Sequence, residues 1–240
     1  MAPGASRPSA DDARYLPRWE LGGVTGAVVA VDVIRAFTTA ACAFAAGARE
    51  IWLTEGVDEA LALAARHPGA VVMGEERGLR PDGFHLSNSP VAALEADLDG
   101  RVVVQRTSAG TRGALAAVDA ERLFVASLVC ATATAKAVEA TGLGAPTYVL
   151  TGWFDDGVHH GDDDRATAEL IERVRAGEPA RAAETAAFVA GTREAIRTLA
   201  LGDGHVHPDD ISIATDVDRF DFAMEAERVD GGLRVRPTRA

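Results

Sequence analysis

The sequence predicts an α/β fold of the layered α/β/α type, with a largely parallel or mixed sheet, in one body or two lobes. Three observations predict it. Short apolar runs rich in Val, Ile, Leu and Phe alternate with Ala-rich stretches along residues 27–176. The apolar runs lack a two-residue alternation, so both faces of the strands are covered. Regular strand–helix succession favours parallel pairing through crossover helices.

Each element follows from local signals. Residues 27–31 read as the first strand and 36–46 as the helix after it. A second strand at 50–54 precedes a helix at 57–66, and a third at 70–73 precedes a long loop, 74–90. The fourth strand, 101–105, leads through a short loop to a helix from Thr111. The fifth, 122–125, precedes a helix to about residue 140, and the sixth, 147–151, precedes a helix at 163–176. Pro179 opens a long helix reaching about residue 201, since proline is tolerated in a first turn, and Gly202-Asp-Gly204 ends it. The tail, 209–235, has short apolar stretches at 211–213, 220–222 and 233–235, read as edge strands or a C-terminal lobe. Residues 1–20 contain Pro, Ser and Asp without the apolar core of a signal peptide. They are expected to be a flexible leader before a single domain spanning 21–240.

Composition narrows the function. The chain has 240 residues, and 36 acidic side chains against 24 basic ones give a formal charge of −12. That balance argues against nonspecific binding of nucleic acid or an anionic membrane. A small anionic substrate would need local arginines or a metal ion. Lys136 is the single lysine, and the other basic residues are arginine. Two cysteines, Cys42 and Cys130, make no disulfide framework and suit a reducing cytoplasm. No apolar run approaches the roughly 18 residues of a membrane span.

Ligands of open α/β sheets gather beyond the carboxyl ends of the strands. That rule selects Asp32, Arg35, Thr38 and Thr39 after the first strand, and Glu75, Glu76 and Arg77, running on to Asn88 and Ser89, after the third. It selects Thr107, Ser108, Gly110 and Thr111 after the fourth, Ser127 after the fifth, and Asp155 to Asp164 after the sixth. Carboxylates such as Asp32, Glu75 and Asp163 suit Mg2+, a hard cation with oxygen ligands. Residues 107–111 lead into a helix whose N–H groups suit an anion. Arg35 and Arg77 suit phosphate or sulfonate oxygens through paired N–H groups. Each feature also has a plainer role: Asp32 as a helix cap, 107–111 as a turn, and 162–164 as an acidic first turn. His159-His160 invites a zinc site, but adjacent histidines lack a helical pair's spacing and no cysteine lies near in sequence. Cys130, in an Ala-rich stretch, reads as packing rather than a nucleophile.

Val31-Asp-Val-Ile-Arg-Ala-Phe-Thr-Thr39, Gly74-Glu75, Gly83-Phe-His-Leu-Ser-Asn-Ser-Pro90, Gly110-Thr111 and Asp163-Asp-Arg-Ala-Thr-Ala168 occur in one order. In that order they resemble the 2-phosphosulfolactate phosphatase (ComB-like) family. The likeness spans residues 28–171 and, weakly, the tail. It implies an Mg2+-dependent phosphatase that converts 2-phospho-3-sulfolactate, or a related phosphorylated hydroxy acid, to the hydroxy acid and phosphate, a step in coenzyme M synthesis. On that reading Asp32 and Glu75 are catalytic, and Asp32, Glu75, Asp163 and Asp164 hold the metal. Arg35, Thr38, Arg77, Asn88, Ser89, Gly110 and Thr111 bind substrate. The expected protein is cytoplasmic, with a homodimer left open.

The chain departs from the family pattern at four positions: Glu76 where an arginine is usual (the arginine either replaced or moved one place, to Arg77), His85 for an aspartate, and Ala109 and Cys130 for asparagines. Those changes motivate a rival reading, a catalytically weak small-anion-binding protein on the same scaffold. A third reading is an unrelated α/β domain whose polar loops only cap helices.

Overall fold

A computed structural model describes residues 13–156, 158–229 and 232–239. In chain order the strands and helices are β1 (Arg14–Leu16), β2 (Ala27–Val31), α1 (Ala36–Ala45), β3 (Glu50–Thr54), α2 (Val57–Ala65) and β4 (Val71–Gly74). Next come β5 (Leu86–Ser87), α3 (Pro90–Glu95), β6 (Val102–Arg106), α4 (Gly110–Ala116), β7 (Arg122–Ala126), α5 (Ala131–Ala140) and β8 (Thr147–Leu150). The chain continues through α6 (Asp162–Arg175), α7 (Ala182–Ala190), α8 (Arg193–Leu199), α9 (Asp210–Ala214), β9 (Ala223–Val229) and β10 (Gly232–Thr238).

Among the described residues the strands form one ten-stranded mixed sheet in the order β1-β8-β2-β7-β9-β10-β3-β6-β4-β5. Two parallel blocks, β1-β8-β2-β7 and β3-β6-β4-β5, are joined by the antiparallel hairpin β9-β10. The expected α/β class with a largely parallel sheet is what the chain adopts. The tail differs from expectation. Residues 211–213 lie in helix α9, 220–222 precede β9, and 233–235 belong to a strand in the middle of the sheet.

The sheet is strongly curved. β2 and β6 stand five places apart, which in a flat sheet is about 24 Å. Yet Gln105 Nε2, on β6, donates to the carbonyl of Ala36 at the start of α1, 2.8 Å away. Helix α1 is enclosed by this curve: residues 36–44 are all buried. Its side chains are mostly Ala, Thr and Cys, small enough for strands to close round it. Val28 and Ala30 of β2 and Ile51 and Leu53 of β3 pack on this concave side with α1. Alternate residues point the other way. Val29 and Val31 meet α5 and α6, while Trp52 meets α2. The result is helices on both faces of the sheet.

Two further expectations change. Arg14–Leu16, placed in the leader, form an edge strand parallel to β8, while residues 1–12 of that leader lie outside the described residues. The long helix from Pro179 is two helices, because Thr192 ends the first and caps the second, its Oγ1 accepting the Ala195 N–H. Among the described residues no helix is long and apolar enough to cross a membrane.

Candidate active site

The curvature brings the ends of β2, β4 and β6 to one cleft of about 390 Å³. Asp32 directly follows β2 and is 5% exposed. Its Oδ1 accepts the Ala36 N–H at 2.8 Å and its Oδ2 accepts the Thr151 hydroxyl at 3.1 Å. It therefore caps α1, as a plainer role required, and also lines the cleft. Burial pushes its carboxyl up to about 6, and the Glu75 charge adds to that, against the hydrogen bonds from Ala36 and Thr151.

Two glycines make the convergence possible. Gly74 has φ +136°, and a Cβ there would lie 1.8 Å from the Arg106 carbonyl oxygen. Only glycine lets β4 end against β6 and deliver Glu75. A Cβ on Gly110 would lie 2.5 Å from the Ala36 Cβ and 2.7 Å from Asp32 Oδ2. Gly110 thus acts by close approach.

Glu75 lies on the cleft wall, but its carboxylate is engaged with loops. Oε1 accepts the Ser108 N–H at 2.5 Å, and Oε2 accepts the Gly78 N–H at 2.6 Å and the Ser108 hydroxyl at 3.0 Å. Arg106 supports the same corner, donating to the Glu75 carbonyl and pairing with Glu76. Arg77, on the wall and exposed, has φ +54°. Arg35 is buried, and its Nη1 donates to Asp210 at 2.8 Å and to the His205 carbonyl at 2.9 Å. Its Nε and Nη2 have no hydrogen-bond acceptor among the described residues, and the side chain lines the cleft. Asn88 also lines it, and its buried Oδ1 has no partner among the described residues.

Other expected ligands turn elsewhere. Thr38 donates to the Val33 carbonyl and shares a 2.5 Å hydrogen bond with Ser127, bracing the β2–α1 turn. Ser89 caps α3 and donates to Asp210 at 2.6 Å. Thr111 and Thr107 close on each other: each hydroxyl accepts the other's N–H, so the Thr111 amide and hydroxyl are not free for an anion. Of the four departures, Ala109 alone is on the cleft wall. Glu76 pairs with Arg106, His85 Nδ1 accepts the Val72 N–H, and Cys130 is buried with its thiol pushed up by desolvation.

Asp163 and Asp164 are buried in the first turn of α6, behind Asp32. Asp164 accepts the Val33 N–H at 3.1 Å and the Gly152 N–H at 2.7 Å, while Asp163 Oδ1 has no partner among the described residues. Burial, then the charges of Glu194 and Asp32, push Asp163 up to about 8. Burial and the charges of Asp163 and Asp32 also raise Asp164. Buried carboxylates so placed call for protons or a cation. Among the described residues no group of three or more His, Cys, Asp or Glu is arranged to hold a metal ion by itself. Asp32 lines the cleft and Asp163 does not; both offer the oxygen ligands that Mg2+ takes, which binds through one or two carboxylates plus water and phosphate oxygens.

Of the remaining wall, the strand-end rule singled out only the stretch that holds Asp156 and His159. Phe154, Asp156 and His159 come from the loop after β8, and Glu194, Arg197, Thr198 and Leu201 from α8 and the turn beyond it. His159 faces Asp156 and Arg197 rather than a zinc ligand set. Thr192 after Gly191, a helix-start signal, was the clue in the sequence to a separate α8.

Comparison with known proteins agrees with this geometry. The family model described as 2-phosphosulpholactate phosphatase matches residues 18–198, which include every residue of the cleft wall except Leu201. A protein of Bacillus subtilis (strain 168) named "Probable 2-phosphosulfolactate phosphatase" is 34% identical over 201 residues, 83% of this chain and 86% of that protein. Proteins of the same name from Thermus thermophilus and Carboxydothermus hydrogenoformans are 46% identical over 110 residues and 39% over 109, each match spanning under half of either protein. The chain belongs to the 2-phosphosulpholactate phosphatase family.

Proposed function

We propose that this chain is an Mg2+-dependent phosphatase that hydrolyses 2-phospho-3-sulfolactate, or a closely related phosphorylated hydroxy acid, to the hydroxy acid and phosphate. One observation carries the reading: a buried carboxyl, Asp32, poised at about 6, lines the same cleft as Arg35 and Arg77. A group with that pKa is suited to proton transfer near neutral pH. Asp32 takes the proton of the attacking water as its oxygen bonds to phosphorus and the ester P–O bond breaks, the departing alkoxide taking a proton from solvent. The free edge of the Arg35 guanidinium binds phosphoryl oxygens, as paired N–H donors do. The Asn88 Oδ1 orients the water or a protonated oxygen. Glu75 holds the Gly78 and Ser108 loops in place, so that Arg77 borders the cleft. Asp32 and Asp163 would hold Mg2+, which would supply positive charge for the phosphoryl oxygens.

Binding without turnover is a second reading, and Ala109 is the one departing residue on the cleft wall that favours it. Phosphate release from 2-phosphosulfolactate separates the two. The expected result is turnover that EDTA abolishes, Mg2+ restores, and Asp32→Asn lowers about 10³-fold. Tight binding with no phosphate released from this or related phosphoesters would establish the second reading instead.

A further inference from the structure

The loop after β8 and helix α8 hold another arginine over the cleft, and the manner of holding assigns it a task. Asp156 Oδ1 accepts the N–H groups of Val158 and His159, both at 2.9 Å, and Oδ2 lies 2.5 Å from His159 Nδ1. The His159 N–H, and then its ring, hold the Asp156 carboxyl well below the usual range. Opposite a carboxylate that stays ionised, Nδ1 carries the ring proton, and Nε2 is left as an acceptor. Arg197 Nη1 donates to that Nε2. Phe154 closes edge-on against the same ring, with centroids 5.8 Å apart.

The consequence is electrostatic. Arg35 and Arg106 are paired with carboxylates, Asp210 and Glu76. Among the described residues Arg197 is in no ion pair; its anchor is a ring nitrogen rather than a carboxylate. Its charge is therefore left for a ligand. Its position says which part of the ligand. Asp32, Arg35 and Glu75 are buried and line the cleft together, so the reacting group sits with them. Arg197 stands exposed on the rim, on an element anchored to the 156–159 loop.

We propose that Arg197 is a specificity-determining residue: it binds the acidic oxyanion of the substrate that does not react, a sulfonate or a carboxylate, while the phosphoryl group lies at Asp32 and Arg35. Asp156 is a positioning residue that acts through His159. This inference rests on the phosphatase reading of the cleft.

The test compares wild type with Arg197→Met on 2-phosphosulfolactate and on 2-phospholactate, which has a methyl group in place of the sulfonated carbon. Calorimetry with sulfolactate and with inorganic phosphate accompanies it. The expected KM for 2-phosphosulfolactate rises about 30-fold with kcat unchanged, the loss of one charged hydrogen-bonding contact. Sulfolactate affinity falls by a similar factor and phosphate affinity holds. An unchanged KM for 2-phospholactate identifies the sulfonate as the group bound, and a parallel rise identifies the carboxylate. Arg197→Lys restores part of the loss. Asp156→Asn, whose amide donates to Nδ1 and turns Nε2 into a donor, raises KM in the same direction without altering kcat. A fall in kcat with KM unchanged, or sulfolactate binding indifferent to Arg197→Met, overturns the inference while leaving the phosphatase reading intact. A wild type that releases no phosphate but binds sulfolactate through Arg197 overturns the phosphatase reading alone. A wild type that does neither overturns both.

Discussion

Asp32 and Arg197 line the same cleft but belong to regions built differently. Asp32 is buried at a strand end, and its neighbours Arg35 and Asn88 are buried with it. Arg197, Arg77 and Asp156 are exposed, on a short helix and two loops. The floor places charged groups where water is scarce, which shifts their chemistry and couples them to folding. The rim leaves charges in water, where they select a ligand with little effect on stability. Substitutions in the floor should therefore change stability and turnover together, and those in the rim should change KM alone.

Asp210→Ala is the strongest challenge to that contrast. Asp210 is fully buried on α9, beyond the residues matched by the family model. It accepts hydrogen bonds from Arg35, the Ser89 hydroxyl and the N–H groups of Val91 and His207. Removing it leaves the Arg35 guanidinium buried without its anion, a loss of about 3–5 kcal/mol. Thermal unfolding should show a Tm lower by about 10 °C, and phosphate release should fall with it. An unchanged Tm would mean that the floor is not coupled to folding as argued.

The buried carboxylates offer the next test, through pH. Asp163 at about 8 and Asp32 at about 6 both lie above the usual carboxylate value of about 4. The folded state binds their protons more tightly than the unfolded chain does. Their contribution to stability is therefore fully present below pH of about 4 and is lost as pH rises through about 6 for Asp32 and about 8 for Asp163. In EDTA, Asp163→Asn should raise Tm over wild type by about 5 °C at pH 8, with a smaller gain at pH 5. Mg2+ should raise the wild-type Tm at pH 8 and leave the variant's unmoved. An equal difference at both pH values would contradict the assigned titration.

The same contrast explains what the sequence disclosed. Asp32 and Glu75 were legible because each is joined directly to a strong local signal, an apolar strand ending in a polar turn. The α8 wall was not, because it reaches the cleft through the curvature of the sheet, which no local pattern encodes. The tail was misread for a related reason. Leu233 and Val235 face the core, while Arg234 pairs with Glu227 and Arg236 with Glu50. Short apolar stretches suggested edge strands or a C-terminal lobe, yet β10 is central, with ion pairs on its other face. The hydroxyls of Thr38, Ser89 and Thr111 looked free for a ligand because their partners are set by the folded backbone. Asp210 carried no local mark at all: its meaning comes from Arg35, 175 residues earlier.

Arg77→Gly should produce the smallest effect on stability and sharpens the comparison most finely. Arg77 is exposed, and its φ of +54° lies in the left-handed region that favours glycine. Substitution removes backbone strain of about 1 kcal/mol, while glycine adds a similar amount of entropy to the unfolded chain. The two offset, so Tm should stay within about 2 °C of wild type. The guanidinium is lost from the cleft wall, so KM should rise about 10-fold. Arg77→Ala loses the same charge but keeps the strain, and should match the glycine variant in KM while melting no higher. Steady-state kinetics and thermal unfolding on both variants separate the two contributions. A shared KM rise with unequal Tm would locate the function of Arg77 in its charge and the cost of its position in its backbone. A KM that rises only in the alanine variant would show that loop shape, rather than charge, is what the rim supplies at this position.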